Sequence, residues 1–242
     1  SAPTFTLPES FVIPTMPAVA NKVTTMLQNH DVGLREIAQV VAQDAPLAAK
    51  VLKIANSSFY GLRERCISTS QAASILGTKV LRNVVLQAAV IRQFDHLKAL
   101  GIDLNDTWRH SIVTAQACQF LVQKAGARWG LSPDEAYVCG LLHDLGEIVL
   151  IDNLRDPYVT LWKLALTENV PLHVLEQRSF GFTHAMVGGR VATRWGLPEP
   201  VVHAITYHHG PEAEALRESV VAMIQTTNLV VERVTAGNLA GA

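Results

Sequence analysis

The residues with the greatest chemical reach in this sequence are its histidines, nine in all, most of them in the second half. The adjacent pair His143-Asp144 offers an imidazole nitrogen and a carboxylate oxygen to a divalent cation. That ligand mixture suits Mn, Fe, Zn or Mg rather than a thiolate site. His110 precedes the pair by one helix-loop-helix length, and His184 and the doublet His208-His209 follow at the ends of later helices. Converging helices bring residues so placed to one point. The plainer readings stand beside this one. His110 and His143 also fit interior histidines satisfied by backbone, His184 a helix start behind Thr183, and His208-His209 last-turn residues that suit a helix dipole. His30, His96, His173 and His203 read as ordinary, and Cys139, four residues before His143, as a small buried hydrophobe.

The elements that must position these groups are helices. Apolar residues recur with helical spacing almost throughout, no run alternates as a strand would, and the fold class read from this is all-α. After a lead punctuated by Pro8, Pro14 and Pro17, helices are expected from Ala18 to about Gln28 and from Leu34. Asp44-Ala45-Pro46 supplies a cap and an early-helix proline for a third. Ser70 opens a short helix closed by Gly77, and Thr78 opens a long apolar one to about Phe94. From about Trp108 a helix carries His110, and Ser132-Pro133-Asp134-Glu135 forms a capping box for the helix that leads into LLHDLGE. Further helices are expected at 157–169, 171–180, 184–195, 199–209 and 214–233. The loop GIDLND divides an N-terminal helical subdomain, 1–105, from a second one, 106–242, that holds the histidines.

Charge and composition narrow the function class. Lys and Arg total 20 against 21 Asp and Glu, so no basic field for nucleic acid exists. Three cysteines, Cys66, Cys118 and Cys139, show no Cys-x-x-Cys spacing, as in a reduced cytoplasmic protein. Apolar runs are broken before membrane-spanning length, and SAPTFTLPES lacks a signal layout, so a membrane partner is not expected. The abrupt start fits a piece of a longer protein. Trp108, Trp129, Trp162 and Trp195 lie outside any basic cluster and read as packing residues. The Thr78 helix, apolar nearly all round, fits either a buried central helix or one partly covered by a partner.

The motifs taken together resemble a known family. PTMPAVANKV, QDAPLAAKVLKIANSSFYG and SILGTKVLRNVVLQAAV, then WRHS, AYVCGLLHDLGE and THAMVGGRVATRWGLPEPVVHAITYHH, are similar to HDOD domains, relatives of the HD and HD-GYP metal-dependent phosphohydrolases. The resemblance spans roughly residues 10 to 230. It implies an HD-like helical bundle with an added N-terminal helical subdomain and a metal ligand set of His110, His143, Asp144, His184, His208 and His209, with Asp144 bridging. It also implies signalling partners such as receiver or cyclic-dinucleotide domains. Asn56 matches a characteristic family position and also reads as a helix-ending residue.

Two departures from the active relatives stand out. Asn228 occupies the place of a late Asp ligand, and Glu147 the place of a phosphate-contacting Lys. A neutral amide is a poorer ligand, and a negative side chain opposes a phosphodiester. The Gly-Tyr-Pro region of the HD-GYP relatives is also absent. The leading expectation is therefore a bacterial signal-transduction output domain that regulates through protein contacts and carries a degenerate metal site. The alternative is a metal-dependent phosphohydrolase acting on a nucleotide or phosphodiester, in which Asp144 would be the catalytic ligand. A third reading is a helical adaptor with no ligand.

Overall fold

A computed structural model describes residues 5–28, 32–125, 129–210 and 219–239. His30 and residues 214–218 of the last expected helix lie outside them. Every element among the described residues is helical. Two compact units divide the chain, one spanning Met16–Leu100 and the other formed by 101–242 together with the lead before Met16.

The first unit contains α1 (Ala18–Gln28), α2 (Leu34–Ala42), α3 (Ala45–Ala55), α4 (Thr69–Gln93) and the single-turn α5 (His96–Ala99). Helices α1, α2 and α3 all pack on α4. Their apolar stripes supply the core, including Val23, Ile37, Val41, Leu47, Val51, Leu81 and Val84. Asp44 caps α3 by accepting from the Leu47 N–H at 3.1 Å. Gly77, at φ 74°, breaks α4 where the sequence predicts a closing glycine, because an L side chain there would strain the backbone. Asn56 ends α3 and does more: its amide donates to Leu52 O and Cys66 O and accepts from Cys66 N, tying the following loop to the helix.

Residues 69–99 are long and apolar enough to cross a membrane by length and composition, which the expectation of broken runs overlooks. Half of the apolar window is buried, as in the core helix of a globular unit, and Asn83 and Gln87 are among its buried residues.

The second unit holds α6 (Asn105–Ala125), α7 (Pro133–Leu142), α8 (Leu145–Leu154), α9 (Asp156–Glu168), α10 (Leu172–Phe180), α11 (His184–Arg194), α12 (Glu199–Tyr207) and α13 (Ser219–Leu239). The capping box expected at Ser132 forms with Glu135. Helix α8 is absent from the sequence reading, which runs its residues on from the preceding helix. The lead belongs here and not with the N-terminal unit that 1–105 would define. Val12 exchanges hydrogen bonds with the Asn153 side chain, Trp195 Nε1 donates to Pro14 O at 2.9 Å, and Phe5 packs on Phe182. Trp108 and Trp195 are buried, but Trp162 is exposed rather than a core residue. Glycines set the closeness of the helices around the histidines. A Cβ on Gly140 of α7 would meet the Ala115 backbone of α6 at 2.6 Å, and one on Gly146 of α8 would lie 1.9 Å from the His184 carbonyl oxygen.

Candidate metal centre

The break between α7 and α8 falls on His143-Asp144, which turns the imidazole and the carboxylate out of the helical ladder into the interior of the second unit. Asp144 stands at the N-cap of α8, yet its side chain makes no capping bond. The carboxylate is turned to the histidines. Oδ2 lies 3.0 Å from His143 Nε2 and 3.5 Å from His110 Nε2, which comes from α6. Oδ1 lies 3.2 Å from His208 Nε2, at the end of α12, and 3.8 Å from His184 Nε2, at the start of α11. Two donor clusters therefore share one carboxylate: His110, His143 and Asp144 on one side, and Asp144, His184, His208 and His209 on the other.

The proton positions on three of these rings follow from their outer nitrogens. His143 Nδ1 donates to Gly140 O at 2.8 Å and His208 Nδ1 to Ile205 O at 2.7 Å. A carbonyl can only accept, so Nδ1 carries the proton, and each Nε2 presents its lone pair whenever the ring is neutral. His184 Nδ1 donates to the Glu176 carboxylate at 2.7 Å, and the His184 backbone N–H donates to the same oxygen at 2.9 Å. With both rings neutral, the Nε2 lone pairs of His184 and His208 face one another across 3.3 Å. Such a pair repels unless a cation or a proton lies between, and outer hydrogen bonds that aim the inner nitrogens are the usual support of metal-binding histidines. Buried imidazoles around a carboxylate fit a divalent transition metal.

The electrostatics agree with this layout. Burial alone would raise the Asp144 carboxyl, but His143 and then His208 hold it well below its usual range. Burial would depress His184, yet the Glu176 charge outweighs it and raises the ring to about 9. His208 is lowered to about 4, first by burial, against Asp144. His209 is lowered as well, by burial and then by the charges of His208 and His184. In the metal-free protein His184 keeps a proton that it releases near pH 6.5 when unfolded. Its contribution to stability is complete below pH 6.5 and disappears as pH rises towards 9. A cation must displace the same proton. Mn2+ affinity measured by titration calorimetry between pH 6 and 9 is therefore expected to rise with pH, with proton uptake by the buffer, and a flat profile would contradict this.

All six residues of the expected ligand set lie in this centre. Asn228 of α13 joins them, with Oδ1 2.8 Å from His110 Nε2 and 3.1 Å from His143 Nε2. Glu147, in the first turn of α8, is partly exposed, and its carboxyl is pushed up to about 8 by burial and then by Asp144. Sequence reasoning misses Glu176 entirely. It is fully buried on α10, holds His184 with Oε2 and accepts from the Tyr158 hydroxyl with Oε1. A glutamate one turn from the end of a short helix, eight residues before a candidate ligand, is the only signal, and it is a weak one. His173, read as ordinary, stacks on His209 with ring centroids 4.4 Å apart. His96 lies in the first unit, and His203 pairs with Glu199 at 3.7 Å. Cys139 is buried, as expected, and Cys118 beside it has its thiol pushed up to about 12 by burial.

The HDOD domain family matches residues 13–211, most of the chain. The chain belongs to the HDOD domain family. An HDOD domain protein of unknown function from Geobacter sulfurreducens is 28% identical, with a TM-score of 0.74 over 90% of this chain and 72% of its own. A candidate signal transduction protein from Marinobacter aquaeolei VT8 is 25% identical, with a TM-score of 0.70 over 88% of this chain and 48% of its own. An uncharacterized protein of Treponema pallidum (strain Nichols) is 28% identical over 220 residues, 90% of this chain. The chain spans 42% of the length of that curated relative. The HDOD assignment and the histidine–aspartate cluster agree on a helical unit with a site able to hold metal, as the sequence motifs imply.

Proposed function

We propose that this HDOD chain is a signalling output module that holds divalent metal around Asp144 and acts through contacts with other signalling proteins, not through turnover. The observation that carries this is an asymmetry of the site. Imidazole nitrogens from four helices converge on one buried carboxylate, a cation site, while among the described residues the mouth beside it is lined by no lysine or arginine. That mouth is a cavity of about 480 Å3 lined by His208, His209, Gly210, Gln225, Asn228, Leu229 and Glu232. Phosphoryl-transfer sites ordinarily add arginine or lysine to the metal to hold the phosphoryl oxygens. Receiver or cyclic-dinucleotide domains are the partners that the family suggests, in a cytoplasmic bacterial setting.

One observation favours a second reading, metal-dependent phosphohydrolysis of a nucleotide or phosphodiester: the two donor clusters share Asp144, as in two-metal hydrolases. A bound metal pair would supply an acidified water and polarise phosphoryl oxygens. In this reading Asp144, His110, His143, His184, His208 and His209 would hold the metal, and Glu176 would fix the orientation of His184. An assay of the Mn2+-loaded protein with bis(p-nitrophenyl) phosphate separates the two readings. The regulatory reading expects hydrolysis no faster than that of a His143→Ala, Asp144→Ala variant. Turnover at least tenfold above that variant would establish the hydrolase instead.

A further inference from the structure

The loss of a carboxylate at position 228 has a compensation four residues later on the same helix. Asn228 is buried, and its amide is orientated from both ends. Nδ2 donates to Glu232 Oε1 at 2.8 Å, and a carboxylate can only accept, so the nitrogen faces Glu232 and Oδ1 faces His110 and His143. With the opposite flip an N–H2 group would point among the inner nitrogens, where it would exclude a cation. The i,i+4 spacing on α13 places Glu232 behind Asn228, and Glu232 also lines the mouth of the centre. A carboxylate hydrogen-bonded to the amide N–H2 draws electron density towards the carbonyl oxygen and returns negative charge to this side of the site.

We propose that Asn228 and Glu232 together form a divided carboxylate: Asn228 Oδ1 is a metal ligand beside His110, His143 and Asp144, and Glu232 is the positioning residue that aims and polarises it. Asn228 is then a working member of the first donor cluster and not a relic. This inference rests on the metal-binding reading above and adds a ligand and its support to it.

The test is calorimetric titration of Mn2+ into the full chain and into the E232A, E232Q, N228D and N228D/E232A variants, with thermal melts to verify folding. Glu232 is solvent-exposed, so its replacement leaves the core intact. The wild-type chain is expected to show two binding events. E232A should weaken one of them by about 10- to 100-fold, the range found when the outer partner of a metal ligand is removed. E232Q, which still accepts from the amide but lacks the charge, should fall between. N228D should bind as the wild type does or better, and N228D/E232A should match N228D, because a carboxylate needs no partner to aim it. Equal affinity in the wild type and E232A would overturn the divided carboxylate while leaving the metal centre intact. So would an equal loss on adding E232A to N228D. A wild-type chain that binds no Mn2+ would overturn this inference and the metal-binding reading together.

Discussion

Glu176→Ala is expected to cost about 3–5 kcal/mol of folding stability, the range for breaking a buried charged pair, and to abolish metal binding at the His184 side of the centre. Glu176 is fully buried and meets three donors: the His184 backbone N–H, His184 Nδ1 and the Tyr158 hydroxyl. Truncation leaves all three without a partner in the interior and opens a cavity at the joint of α10 and α11. Burial, then His184 and Tyr158, set the Glu176 carboxyl, and the partners prevail to keep it below its usual range. Glu176→Gln separates shape from charge. Its carbonyl still accepts from His184 and its amide can donate to the Tyr158 oxygen, so the fold should survive. The basicity lent to His184 is lost, and Mn2+ affinity should fall by about 10- to 100-fold. Urea unfolding paired with metal titration reads both effects. Equal stability of Glu176→Ala and wild type would contradict the assignment.

Among the described glycines of the second unit, Gly146→Ala is expected to be the most damaging added methyl. The added carbon would lie 1.9 Å from His184 O, 2.7 Å from His184 C and 2.8 Å from Gly188 N, all backbone atoms. No rotamer change relieves that contact, so α8 and α11 must separate by more than 1 Å, and His184 moves with α11. Overpacking of this kind costs about 1–3 kcal/mol and sometimes more. Gly188→Ala is the informative comparison. Its first neighbour is the Ile205 Cγ2 methyl at 2.8 Å, a side-chain end that can shift, so the loss should be smaller. A melting temperature for Gly146→Ala equal to or above that of Gly188→Ala would show that the helix crossing does not set the site.

The histidine–aspartate cluster was legible because His-Asp and His-His doublets at helix boundaries are visible in a linear sequence, and the family resemblance joined His110 and His184 to them. The helices were legible for similar local reasons: the Ser132 box, the Asp44 cap and the Gly77 break are each written within four residues. What the sequence reading lacked depends on distant packing. Glu176 has meaning only because α10 returns beneath His184, and Gly146 only because α8 crosses α11. The lead belongs with the second unit through Val12, Pro14 and Phe5, whose partners lie more than 140 residues away. Asn228 was read by type as a weakened ligand, since its tie to Glu232 depends on side-chain orientation. Glu147 was read as a full negative charge because burial against Asp144, which moves its carboxyl upward, appears only in three dimensions.

We take the cluster around Asp144 to be a cation site. Its most direct test is elemental analysis of the protein after equilibration with Mn2+, Fe2+ or Zn2+ and removal of unbound metal, beside a His143→Ala, Asp144→Ala variant treated identically. The structure predicts at least one metal ion per chain in the wild type and none in the variant. A wild-type chain that retains no metal, or a variant that retains as much, would contradict it.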